Sequence, residues 1–510
     1  MKYLEKISPR KYQQEIFNTC KEKNCLVILP TGTGKTLIAL MLSIERKTKF
    51  PESKILFLAP TRPLAEQHFN YFKKHLPELF AELILFTGKV NAEKRKSLWT
   101  NSEIIFSTPQ CISNDLKNNL YDLSNVSLLI EDECHRCLKN YAYTYVAERY
   151  KQQAKNQRFL GLTASPGSEK KKIDTIRKNL NIEAIEIRTR ESEDVKEYLQ
   201  ERKFEIVKLE FPKQLEELKN PLKKIYDSKV EELQKRKLLF GRATKKTILE
   251  CQTRIFRQIS TGNKNFNVLS GASACAMAIK VQHAIELLET QTIYSFHLYI
   301  QDLQEQSRQG KSKAVKQLVN KPEFSIMLIK LQEILKKNIE NPKLAELIKI
   351  IKNEVRTKKE KIIVFAQYRD TVAKICKTLN KEKIPAKVFV GQLKKGESGL
   401  SQKEQKQTIQ DFSNNQFNIL CATSIGEEGL DIPEVNAVIF YEPIPSEIRK
   451  IQRAGRTARL VKGKLIILLN KKTRDESYYW AAFHKEKRMH KIINNIKNGL
   501  DKNQEKQQTL

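Results

Sequence analysis

Glycine and proline are scarce, 17 and 16 in 510 residues, which excludes a collagen-like repeat or a proline-rich disordered chain. Acidic residues are in deficit: 59 Asp and Glu face 93 Lys and Arg, for a formal charge of +34 and an isoelectric point near 9.6. A charge that large repels itself unless polyanions are the regular partner, so nucleic acid is the leading ligand class and an anionic membrane surface the lesser one. No run approaches the roughly 18 apolar residues of a membrane span. The start, MKYLEKISPR, also lacks the apolar stretch of a signal peptide. No membrane partner is therefore expected. The nine cysteines are odd in number and scattered; they read as reduced thiols in a cytoplasmic protein.

What is present is an ordinary globular composition, 40% apolar and 30% charged, with length enough for three or four units. Apolar runs at 25–29, 54–60, 83–88, 103–108, 126–133 and 159–165 alternate with amphipathic stretches. That rhythm predicts an α/β unit with a parallel sheet, residues 1–205. From 206 to 330 strand-like runs vanish and helical spacing takes over, as in 222–240 and 277–290. Residues 213–330 hold 21 Lys and Arg against 11 Asp and Glu. A net +10 over that length is barely denser than the chain average, so the segment reads as a helical insertion and not as a basic tail. The α/β rhythm resumes over 331–475, with strand candidates at 361–368, 386–391, 417–423, 437–443 and 464–470. Residues 476–510 read as a basic, polar tail that frays.

Three constellations carry chemistry. LPTGTGKT (Leu29–Thr36) follows the first strand and precedes an apolar helix. A loop of Thr31, Gly32, Thr33 and Gly34 can turn its backbone N–H groups onto phosphates, with Lys35 meeting the β/γ charge and Thr36 binding Mg²⁺. Leu29 stands where the full pattern wants a glycine. EDECHR (Glu131–Arg136) ends an apolar strand. Carboxylates there are costly without a cation or substrate, which suits Asp132 to Mg²⁺ and Glu133 to orienting an attacking water. IQRAGRTARL (Ile451–Leu460) offers Arg453, Arg456 and Arg459 at spacings of three, behind Gln452. Opposite a phosphate loop, two of them would serve as arginine fingers. Cys134-x-x-Cys137 has no second pair to complete a zinc site. Cys134 therefore reads as a small residue of the acidic box, and His283 and His297 as packing or surface residues.

Taken in order, LPTGTGKT, APTRPL (59–64), STPQ (107–110), DECH (132–135), TAS (163–165), VFAQYRDT (364–371), ATSIGEEGLDIP (422–433) and QRAGRTAR (452–459) resemble the motifs of superfamily 2 helicases over nearly the whole chain. HAIELLETQ (283–291), NPKLAELIKII (341–351), FVGQ (389–392), LSQKEQK (400–406) and YEPIPSEIRKIQR (441–453) narrow the resemblance to the Hef/FANCM branched-DNA helicases. The resemblance implies two RecA-like lobes with a thumb-like helical domain between them, ATP and Mg²⁺ as cofactors, and 3′ to 5′ movement on forked or branched DNA in repair or fork restart. It also implies that Arg10 and Gln13 face the adenine, and that His135 and Gln452 link the nucleotide to the cleft. Gly429 and Asp431 should border the γ-phosphate and ribose, with Arg456 and Arg459 as the fingers. Thr61, Arg62, Thr108, Gln367, Thr423 and Ser424 should touch the nucleic-acid backbone.

The sequence departs from the family pattern at Cys134 and Cys137, where alanines are expected, and at Ala458, where a glycine is. Archaeal Hef proteins carry a nuclease domain. No acidic pair followed by a lysine occurs after residue 460, so a separate nuclease subunit or sliding clamp is the expected partner. Two rival readings stay open: a duplex-RNA-stimulated ATPase, and a non-catalytic nucleic-acid clamp.

Overall fold

The computed structural model describes residues 3–355, 357, 360–392, 399–426, 432–457 and 462–508. Its first sheet is built from β1 (Cys25–Ile28), β2 (Lys54–Leu58), β3 (Leu83–Phe86), β4 (Ile104–Ser107), β5 (Val126–Asp132), β6 (Phe159–Thr163) and β7 (Ala184–Ile187), in the spatial order β3-β4-β2-β5-β6-β1-β7. The second contains β8 (Arg202–Leu209), β9 (Ile362–Phe365), β10 (Ala386–Phe389), β11 (Ile419–Ala422), β12 (Ala437–Phe440) and β13 (Gly463–Asn470), in the order β10-β11-β9-β12-β13-β8. The ladders are parallel throughout, with helices on the faces, so interior strands such as β1 and β5 are buried along their whole length. This burial on both faces is why they read as continuous apolar runs.

Three boundaries differ from the sequence reading. A first lobe ending at 205 would cut β8, which pairs with β13 over its full eight residues and belongs to the second sheet. β8 is an edge strand with a half-exposed, mixed sequence, so its period was not evident. The helical domain runs from Lys213 through the helix Pro322–Lys336, and the second lobe resumes with the helix Pro342–Glu354 instead of at 331. Finally, the tail expected over 476–510 is not frayed over its described residues, 476–508. Arg474–Gln508 is one helix, and Met489, Ile493 and Ile496 are buried in the core of the first lobe.

The helical domain packs Lys213–Lys235, Lys245–Ser260, Phe266–Thr290, Ile293–Arg308, Lys313–Val319 and Pro322–Lys336 around two apolar clusters. One is near the lobes (Leu218, Leu288, Phe296, Phe324) and one is farther out (Leu233, Ile248, Cys251, Cys275). Phe266–Thr290 is long and apolar enough, by length and composition, to cross a membrane. Here 56% of its most apolar window is buried inside the protein.

The segment HAIELLETQ lies at the joint between this domain and the second lobe. Lys343 and Asp475 form an ion pair at 2.8 Å with both side chains fully buried, and Lys343 also donates to the Thr290 carbonyl at 2.6 Å. Asn470 donates to the Glu289 carbonyl, Asn341 to that of Gln291, and Thr371 to the Gln291 side chain. Burial pushes the Asp475 carboxyl up to about 6 even beside Lys343. Breaking such a pair strands a charge in the interior. Lys343→Met should therefore lower stability by about 3–5 kcal/mol in urea denaturation, and adding Asp475→Leu should restore most of it. Equal stability of the single and double variants would show that the pair does not hold the joint.

Candidate functional site

The loop after β1 turns on two left-handed glycines, Gly32 and Gly34, each with φ 83°. A Cβ at Gly34 would sit 2.2 Å from Gln13 Nε2, so only glycine fits there. Gln13 is buried. Its Nε2 donates to the Thr33 carbonyl at 2.9 Å and its Oε1 accepts from the Arg10 N–H at 2.8 Å. The side chain expected to face the adenine is thus used to brace the loop, while the Arg10 guanidinium lies over the Tyr198 ring at 4.8 Å. Lys35 begins the following helix, and its Nζ donates to the carbonyls of Leu29 and Pro30.

Asp132 ends β5, and Tyr143 Oη donates to its carbonyl at 2.6 Å. His68 Nε2 meets Asp132 Oδ2 at 2.8 Å, while Nδ1 of the same ring lies 3.3 Å from Thr36 Oγ1. Burial pushes the Asp132 carboxyl up. The hydrogen bond from His68, with Lys35 nearby, outweighs this and holds it below the ordinary aspartate value. Glu133 adopts a left-handed φ of 50°, which aims its carboxylate at His135 Nδ1 (3.2 Å) and Thr163 Oγ1 (3.4 Å). A non-glycine residue held there stores strain at a site where a side chain must be aimed. Glu131, on the opposite face of the strand, is buried and its carboxyl is pushed up to about 8 by burial. Cys134 and Cys137 are buried with their thiols pushed up by burial, which makes them packing residues.

The helix Glu447–Ala454 of the second lobe faces this loop. A Cβ at Gly455 would lie 2.5 Å from Thr31 Oγ1, so a glycine is required where the two lobes meet. Arg456 follows at once, and its carbonyl accepts from the Val435 N–H. Gly429, Asp431 and Arg459 lie outside the described residues.

A cavity of about 660 Å³ opens between the lobes beside this contact. Thr61, Gln367, Thr423 and Ser424 line it together with His135 and Gln452. Six of the sequence-derived residues, from two classes and both lobes, therefore line one cavity. Thr108 and Arg62 do not line the cavity. Each starts a helix, after β4 and β2 respectively, on the same edge of the first sheet. The cavity also holds Arg136, Arg369 and Arg449, cations that sequence reasoning missed. Arg136 follows DECH and Arg369 lies within VFAQYRDT, so proximity to a motif was the available signal. Gln367 is anchored by its N–H, which donates to Glu442 at 2.6 Å; burial pushes the Glu442 carboxyl up to about 7.

A phosphate loop and acidic box on one parallel-sheet lobe, facing an arginine-bearing helix on a second, define a two-lobe helicase motor. Residues 10–173 match the DEAD/DEAH box helicase family and residues 342–461 the helicase conserved C-terminal domain. Residues 213–340 match a helical bundle named for an ATP-dependent RNA helicase. The chain belongs to the Hef/FANCM-type superfamily 2 helicases: it is 42% identical to the crystal structure of the Pyrococcus furiosus Hef helicase domain, with a TM-score of 0.70, covering 93% of this chain and 98% of that one. It is 38% identical over 501 residues to a Methanocaldococcus jannaschii protein named as an ATP-dependent RNA helicase, covering 96% of this chain and 61% of the relative. Against the ATP-dependent DNA helicase mph1 of Neurospora crassa it is 33% identical over 490 residues, covering 92% of this chain and 41% of the relative. The chain thus spans less than two thirds of the length of these two relatives.

Proposed function

We propose that this protein is an ATP-driven DNA translocase that moves 3′ to 5′ and acts on forks and Holliday-like branches in repair or fork restart. The shared cavity carries the reading, because it joins nucleic-acid candidates to His135 and Gln452 at the lobe contact. The donor set also fits a nucleotide and its metal: a glycine-bounded loop, a lysine at a helix start, and a hydroxyl and a carboxylate converging on one imidazole. Thr36 and Asp132 would hold Mg²⁺, which would neutralise phosphate charge when bound. Lys35 pairs with phosphate charge and Glu133 orients the attacking water. Arg456 completes the site from the other lobe, and the same reading gives Arg459 the role of second finger and Gly429 and Asp431 the γ-phosphate and ribose. Arg10 borders the base. Thr61, Arg62, Thr108, Gln367, Thr423 and Ser424 hold the strand by its backbone, so binding follows shape more than sequence.

A nuclease or a sliding clamp is the partner proposed with this reading, and the nine free, buried cysteines suit a reducing cytoplasm. The RNA-helicase names of one relative and of the helical bundle favour a second reading, duplex-RNA stimulation. ATPase rates with fork DNA, linear duplex DNA and duplex RNA in parallel decide between them. Fork DNA should stimulate most; greater stimulation by duplex RNA overturns the DNA reading, and no ATPase with any of them leaves a clamp. Charge reversal at the exposed Lys246 and Arg257 should reduce the fork preference and flatten its salt dependence. Lys245 and Arg254 are poorer probes, since Lys245 pairs with Glu286 and Arg254 donates to the Leu238 carbonyl.

A further inference from the structure

We propose that His68 is a positioning residue that sets the Thr36 hydroxyl and the Asp132 carboxylate for the metal, an inference that rests on the nucleotide reading above. His68 is buried in the helix Arg62–His75, and its ring packs on Phe57 with centroids 4.4 Å apart. Both ring nitrogens are committed: Nε2 to Asp132 Oδ2 at 2.8 Å and Nδ1 to Thr36 Oγ1 at 3.3 Å. A carboxylate only accepts, so the ring proton belongs on Nε2. The bare Nδ1 then accepts the Thr36 O–H. With its proton drawn inward, the Thr36 oxygen presents its lone pairs away from the ring, and Asp132 keeps Oδ1 for a second partner. One imidazole thereby fixes the rotor of one ligand and the angle of the other, the task that outlying hydrogen-bond partners perform at metal centres. The same helix begins at Thr61 and Arg62, so the element that meets the strand also fixes the metal ligands.

The test is binding of a fluorescent ADP analogue to the whole chain, measured in EDTA and across a Mg²⁺ series, for wild type, His68→Ala, His68→Phe and His68→Asn. Phe keeps the packing on Phe57 and removes both nitrogens, whereas Asn restores an acceptor in reach of Thr36. Affinity in EDTA should stay within about twofold for all four. The Mg²⁺ concentration needed for half of the metal-dependent gain should rise about tenfold or more in the Ala and Phe variants, and Asn should recover part of the loss. A folded His68→Phe variant with the wild-type Mg²⁺ requirement overturns the proposal and reduces His68 to packing. A wild-type protein whose nucleotide affinity ignores Mg²⁺ overturns the metal reading itself, and the proposal with it.

Discussion

Lys35→Ala and Glu133→Gln will both stop ATP turnover, and binding measurements will tell them apart. Lys35 is the one cation at the start of the loop helix, where its Nζ already lies against the Leu29 and Pro30 carbonyls. Removing it deletes a charge-assisted contact to phosphate, so ATP affinity should fall about 10- to 100-fold. Glu133 has a different task. Its strained backbone aims the carboxylate past His135 and Thr163, and glutamine preserves that shape while losing the basic oxygen. Glu133→Gln should therefore bind ATP within a few fold of wild type while turnover falls by about 10²-fold or more. An equal loss of affinity in both variants would contradict these roles.

Arg456→Ala should leave ATP binding to the first lobe nearly intact and cut turnover by about 10³-fold, in the range of arginine fingers. The geometry supports a contribution across the cleft. The preceding Gly455 abuts Thr31 of the phosphate loop, and the hydrogen bond from the Val435 N–H fixes the Arg456 backbone. Turnover and nucleotide affinity measured on the same preparation check this. A loss below about tenfold would transfer the role to Arg459.

Much of this was legible in the sequence, because interior strands of parallel sheets are apolar on both faces and motifs sit at their ends. The ends of β1, β2, β5 and β9 duly carry Leu29–Thr36, Thr61, Asp132–His135 and Gln367. What was hidden has physical reasons. β7 and β8 are edge strands with one face half exposed, so their runs are short and mixed. The helix Arg474–Gln508 reads as polar because only one narrow stripe, Met489, Ile493 and Ile496, is buried against the first lobe. His68 could not be found because it acts through Thr36 and Asp132, at separations of 32 and 64 residues that only folding closes. Gln13 was given to the adenine by its motif, and what the motif did not reveal is that its amide also braces the loop through Thr33 and Arg10.

The C-terminal helix also has a mechanical consequence. It is pinned near its start by Asp475 to Lys343 and by Tyr478 to Glu286, along its middle by Glu486 to Lys450, and beyond that by Met489 and Ile493 in the opposite lobe. At 35 residues it is a stiff connecting rod roughly 50 Å long. A rod cannot stretch, so movement of the lobes is expected as a pivot about it and not as a straight separation. The helical domain is bolted to the same end of the rod. The helix Lys213–Lys235 alone reaches roughly 35 Å, so a pivot of about 10° sweeps its far end through about 6 Å. Gearing of that kind would convert a small change at the phosphates into a stroke on the scale of a nucleotide.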